Sequence, residues 1–217
     1  MKKIVMGLAV LTAAAVLASG CSGLGGGGGF NPSENSLYID AGGSVSWASA
    51  ETYEQGDYTE EELKASAGQK ISSYNSSLGR EASFENTEGA EKLPVAVVSA
   101  KLGDGKAVLV TEYDTPGRLI QFAQEIGDYN VPFTQLDTGR VAVMSEEMSG
   151  SSFKDEKGQA ADLDAVLKDG QRLAVKVQGQ GVVMTEKKVM YVSDNCQLKD
   201  ANRVETPSEG TGYIILK

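Results

Sequence analysis

The period of apolar positions changes several times along the chain, and each change marks an element. Residues 37–40 and 45–53 alternate with period two, which puts Val45, Trp47, Ser49, Glu51 and Tyr53 on one face, and Gly42-Gly43 between the runs predicts a hairpin. The spacing then switches to three and four, so that Leu63, Ala67, Ile71, Tyr74 and Leu78 form the buried stripe of a helix. Thr59 stands where it can cap this helix, with Glu62 completing a capping box and Glu60 to Glu62 at the positive end of the dipole. Gly79 supplies the stop. Residues 80–92 are polar and carry no period.

Two β-type runs follow, 93–102 and 106–113, joined by Gly103-Asp104-Gly105, the strongest hairpin signal in the chain. Pro116, after Asp114 and Thr115, opens a short second helix with Leu119, Phe122, Ala123 and Ile126 along one side and Gly127 at its end. Residues 133–136 and 141–144 read as strands around Asp137-Thr138-Gly139, and 145–158 as a polar connection. The last third is β-rich, with strand composition at 172–177, 182–185, 188–193 and 213–216 and one weakly helical stretch at 160–167. The expected class is α+β: an N-terminal antiparallel sheet with one long and one short helix, then a β-rich C-terminal part. A boundary near Gly150 divides an α+β domain, 37–150, from a β-rich domain or subdomain, 151–217, packed beside the first or continuous with it.

Residues 1–36 read as an address. Lys2 and Lys3 precede an apolar run over residues 4–17, and Ala18-Ser19-Gly20 stands directly before Cys21. The run is shorter than the roughly 20 residues a bilayer span requires, and the small residues mark a cut site. Cleavage of 1–20 would leave Cys21 as the first residue, placed for lipid attachment. Residues 21–36, with glycines at 25–29, would form a tether with a root-mean-square reach of about 20 Å and an extended reach of about 50 Å. Ala18-Ser19-Gly20 also fits the cut site of a freely secreted precursor, but the cysteine and glycine tract favour the lipid anchor.

Charge narrows the partners. Residues 1–20 carry only Lys2 and Lys3 of the 20 basic residues, so the remaining chain has 18 basic and 30 acidic side chains, a net of about −12. That balance disfavours nucleic acid and anionic headgroups, which are held by neutralising phosphate with Lys and Arg. The charge is uneven, with 15 acidic and 6 basic residues over 31–115 against 4 and 7 over 168–203. This reads as a solvated acidic face. With Cys21 used for lipid, Cys196 has no disulfide partner and reads as a small buried hydrophobe.

The chain contains no histidine. It therefore lacks the usual general base near neutral pH, the activating partner of a thiol and the commonest zinc ligand. Ser151-Ser152-Phe153-Lys154 and Ser193-Asp194-Asn195 imitate two motifs of penicillin-interacting serine enzymes, but the third is replaced by Gly210-Thr211-Gly212. Asp162-Leu163-Asp164 has the spacing of a calcium-loop start without its glycine or closing glutamate, and reads as a helix cap. Glu51, Glu54, Asp57 and Glu60 to Glu62 offer carboxylates, and Trp47, Tyr53 and Tyr58 offer rings, for a glycoside hydrolase. Such groups are common at any strand-to-helix junction. No catalytic residue and no cofactor is assigned on these grounds.

The lipobox-like start, the glycine tether, Glu51-Thr52-Tyr53, the helix opening at Tyr58-Thr59-Glu60-Glu61-Glu62-Leu63-Lys64 and closing on Tyr74-Asn75, and Val189-Met190-Tyr191-Val192-Ser193-Asp194-Asn195 together resemble uncharacterised cell-surface lipoproteins of Gram-positive, gut-type anaerobic bacteria. The resemblance implies a place on the extracytoplasmic face of the plasma membrane and assigns no activity. The expected function is a membrane-anchored, non-catalytic binding or assembly module. The alternative is a hydrolase of wall glycan or peptide acting through the carboxylates. Membrane contact through lipid on Cys21 and an undefined protein or wall partner are the associations expected. Cys21→Ala should accumulate as uncleaved precursor or leave the membrane fraction; normal processing with unchanged membrane attachment would refute the anchor.

Overall fold

The structure, a computed structural model, describes residues 30, 32–54 and 56–217. Among the described residues thirteen strands form two sheets and four helices accompany them, an α+β arrangement rich in β. The first sheet begins with the expected hairpin of β1 (Ser36–Ile39) and β2 (Val45–Thr52). Asp40 organises its turn, its Oδ1 accepting from the N–H groups of Gly42 and Ser44 at 2.8 Å each. β3 (Val95–Gly103) and β4 (Lys106–Tyr113) form the second hairpin. Asp104 and Gly105 both have positive φ, 52° and 71°, as a two-residue turn matched to strand twist requires.

α1 (Glu60–Ser77) lies between these hairpins in sequence, and the capping box is present. Glu62 N–H donates to the Thr59 hydroxyl at 3.2 Å, and Thr59 N–H donates to Glu62 Oε2 at 2.9 Å. Ile71 and Tyr74 are buried as expected, and Leu63 and Ala67 are half-buried. Leu78 departs from the stripe: it is the C-cap and is 42% exposed. Asn75 takes the inward position instead, because it satisfies the edge of β3. Its Oδ1 accepts from Val95 N–H at 3.1 Å, and its Nδ2 donates to the carbonyls of Val95 and Ser83 at 2.8 Å each. Gly68 allows Phe84 of the aperiodic 80–92 segment to cross the helix, since a Cβ there would sit 2.8 Å from the ring. α2 (Pro116–Ile126) has Pro116 at its start and a left-handed Gly127 at its end, with Leu119, Phe122 and Ala123 buried.

The strand expected at 141–144 is a helix, α3 (Val141–Met148). Val141, Met144 and Met148 fall on one buried face while Val143 is 77% exposed, a spacing of three and four that outweighs the β propensity of the local Val-rich run. Its expected turn, Asp137-Thr138-Gly139, lies inside β5 (Gln135–Arg140). β6 (Phe153–Asp155) and β7 (Ala160–Ala161) follow, then α4 (Leu163–Leu167). The remaining strands are β8 (Leu173–Gln178), β9 (Val182–Thr185), β10 (Val189–Ser193), β11 (Gln197–Asp200), β12 (Arg203–Glu205) and β13 (Thr211–Leu216).

The first sheet has the order β11-β12-β9-β1-β2-β4-β3 and the second β5-β8-β13-β10-β6-β7. Residues on both sides of Gly150 are hydrogen-bonded neighbours in both sheets: β1 pairs in parallel with β9, and β5 pairs with β8. One buried cluster joins Leu37, Trp47 and Val183 of the first sheet to Val175, Val177 and Ile214 of the second and to Ile71 and Phe122 of the helices. The other face of the second sheet, with Ala174, Tyr213 and Ile215, is covered by α3 and α4 through Val141, Met148 and Val166. Ile71→Ala should cost about 2 to 5 kcal/mol and Thr59→Ala about 1 kcal/mol, read by denaturant unfolding. An Ile71→Ala shift no larger than that of Lys70→Ala would contradict this packing.

Candidate functional site

A cavity of about 160 Å³ lies between α1 and the face of β2 and β4. One wall is the period-two face of the first hairpin continued onto the second. Trp47, Ser49 and Glu51 stand directly opposite Thr111, Leu109 and Ala107 in the ladder. The other wall is α1, through Leu63, Ser66, Ala67 and Ile71. Phe122 and Ile126 of α2 close one end. The floor is buried: Trp47 is 3% exposed, Ile71 1%, Tyr113 2% and Phe122 5%. Glu62, Ser66 and Lys70 are exposed members of the lining, so the cavity opens to solvent along α1.

Neighbouring rings fix these side chains. The Trp47 indole meets Phe133 edge to face at 5.9 Å and 89°, and Tyr74 meets Phe122 at 5.0 Å. The Tyr113 phenol shares a 2.8 Å hydrogen bond with Thr111, and burial pushes it well above the ordinary tyrosine value, so it stays neutral. The Trp47 indole N–H is buried and finds no acceptor among the described residues. An unpaired buried donor costs about 1 to 3 kcal/mol.

Three carboxylates accompany Lys70 in the lining: Glu51, Glu62 and Asp128. Their hydrogen-bond partners are neutral. Asn130 donates its side-chain amide to Glu51 at 3.1 Å and its backbone N–H to Asp128 at 3.0 Å, and Glu62 is held in the capping box. Tyr58 also lines the cavity, its ring 5.6 Å from that of Tyr53. Burial first, then the charges of Glu51 and Asp57, raise the Tyr58 phenol above its ordinary value.

The residues singled out from sequence thus separate. Trp47, Glu51, Tyr58 and Glu62 come together in this cavity, whereas Glu54, Asp57 and Glu61 are exposed and Glu60 Oε1 accepts from Leu102 N–H at 2.8 Å. Leu109 and Asp128 were not singled out. The alternation Ala107, Leu109, Thr111, Tyr113 was the available signal for the former; nothing local marks the latter. Cys21 lies outside the described residues, and among those described no helix is long and apolar enough to cross a membrane.

The two serine-enzyme strings become neighbours because β6 pairs with β10. Lys154 Nζ donates to the Asp194 carbonyl at 2.7 Å, and Ser193 Oγ is buried and accepts from Tyr213 N–H at 2.8 Å. Asn195 donates to the Thr211 carbonyl at 3.1 Å. These groups tie strands together. Asp162 sits at the N-cap of α4 without a side-chain cap bond, and no group of three or more His, Cys, Asp or Glu among the described residues is placed to hold a metal ion.

Cys196 is 3% exposed, 3.4 Å from Ser193 Oγ, and burial pushes its thiol upward. Comparison of the chain with protein-family models, curated proteins and solved structures finds no match. Thiol-directed reagents should modify Cys196 on the order of a hundredfold more slowly in the native than in the unfolded protein. Mass spectrometry of the peptide carrying Cys196 checks this, and equal rates would show that the packing around Gly212 and Ser193 is open.

Proposed function

We propose that the protein is a lipid-anchored, extracytoplasmic binding module that is not an enzyme, with the cavity between α1 and the β2–β4 face as its ligand site. The observation that carries this reading is an enclosed chamber with an apolar floor and a few polar groups at its mouth. Ligand sites combine such an enclosure with a small number of placed polar groups. The size fits a fragment-sized occupant. A cavity of about 150 Å³ holds one benzene ring.

The incoming chain suits the anchored reading. The Phe30 ring stacks on Tyr38 at 4.6 Å, the Ser33 carbonyl accepts from Lys106, and Glu34 pairs with Arg203. Tyr38, Lys106 and Arg203 lie on the face of the sheet opposite Trp47, by the two-residue period and the strand register. A lipid on Cys21 would stand at most about 30 Å of chain from Phe30. An anchor on that side leaves the cavity mouth directed away from its own attachment. The resemblance to Gram-positive surface lipoproteins supports the same compartment.

The hydrolase alternative finds less support. Glu51 and Glu62 share the cavity, but Trp47 is too buried to stack a sugar. The chamber holds one small ring where a glycan chain needs an open cleft. Titration with a neutral aromatic probe, 2-(4-hydroxyphenyl)ethanol, should shift the emission of Trp47, the single tryptophan of the chain. Ala67→Phe, which fills the chamber from α1, should retain cooperative unfolding and lose the response. An unchanged emission in the parent protein, or an undiminished response in Ala67→Phe, would refute the site.

A further inference from the structure

The cavity is unequal in charge as well as polarity. Its lining carries three carboxylates, Glu51, Glu62 and Asp128, and one ammonium, Lys70. None of the four is in an ion pair among the described residues, although ion pairs such as Arg118–Asp114 and Lys92–Glu112 occur nearby on the same domain. The rim thus has a net charge of about −2 beside a low-dielectric chamber, where field lines concentrate and a cation is favoured over an anion. Tyr58 adds an aromatic ring to the lining, and aromatic rings attract organic cations. The floor beneath the rim is apolar and buried.

We propose that the cavity selects a small aromatic or branched amine, with an ammonium at the carboxylate rim and an apolar body against Ile71, Leu109 and Phe122. This rests on the cavity-binding reading given above and adds the chemical class of its occupant. Free carboxylic acids and phosphate esters are disfavoured because they bring negative charge to the acidic rim. A free amino acid is disfavoured in the same way as a carboxylic acid, whereas a decarboxylated amino acid or the N-terminal residue of a peptide has the required ends.

The test compares three ligands of nearly one shape on the full-length protein in mild detergent, by calorimetry and by Trp47 emission excited at the red edge. Tyramine has the amine, 2-(4-hydroxyphenyl)ethanol lacks the charge, and 4-hydroxyphenylacetate reverses it. Tyramine should bind most tightly and the alcohol about tenfold more weakly, the range of one hydrogen bond to a charged group, with the acid weakest. The preference for tyramine over the alcohol should shrink as salt rises and in Asp128→Asn. If the alcohol or the acid binds as tightly as tyramine, the amine assignment is overturned while the cavity remains a binding site. If none of the three binds, the binding reading falls with it.

Discussion

The cavity exists because α1 is fastened to the edge strand β3 at its two ends and faces small side chains in between. At its start, Glu60 Oε1 takes the Leu102 N–H; near its end, Asn75 takes the Val95 N–H and gives two hydrogens to the Val95 and Ser83 carbonyls. These bonds set how close the helix can approach. Between them the helix presents Ser66 and Ala67, and the strands beneath present Ser49 and Ala107. Side chains of that size do not fill the gap. Larger residues on either surface would have closed the chamber, as Ile71 and Tyr74 do over Val95 and Val97 in the adjoining core.

The same bonds answer a second problem. β3 is nine residues long and lies at the edge of its sheet, and an exposed edge of that length invites pairing with another chain. Val95 and Leu102 are occupied by Asn75 and Glu60, and Val97 N–H donates to the Phe84 carbonyl at 2.7 Å. The aperiodic 80–92 segment therefore acts as an edge cover, admitted over the helix by the missing side chain at Gly68. Covering the edge and spacing the helix from the sheet are one structural solution. A buried asparagine, otherwise an expensive residue to desolvate, is kept because its amide satisfies three backbone groups in one place.

Local signals were legible wherever one residue's chemistry decides the geometry. Thr59 with Glu62 gave the start of α1, Asp104-Gly105 the β3–β4 turn, and Pro116 with Gly127 both ends of α2. The alternation through Trp47 and Glu51 named part of the cavity wall before its opposite wall was known. What failed was packing. Val141-Ala142-Val143-Met144 reads as strand over four residues and as helix only when Met148 is included, so the short window misassigned it. Leu78 has the right spacing for burial, yet Asn75 points inward because the edge of β3 needs its amide more than the core needs another methyl. The parallel pairing of β1 with β9, across more than a hundred residues, leaves no local trace at all.

A void is legible last of all, since it is a property of what two surfaces fail to do when they meet. Ser49, Ser66, Ala67 and Ala107 are unremarkable in sequence, and their smallness acquires meaning only once α1, carrying Ser66 and Ala67, is seen to cross Ser49 and Ala107 at a height fixed by its ends. The Trp47 N–H shows the same dependence. On a strand it is one more aromatic of the period-two face, but beneath the helix its donor is sealed from water with no acceptor among the described residues. The unpaired carboxylates beside the chamber belong to the same meeting of surfaces, since Glu62 comes with α1 and Glu51 with β2, and neither alone marks an acidic rim.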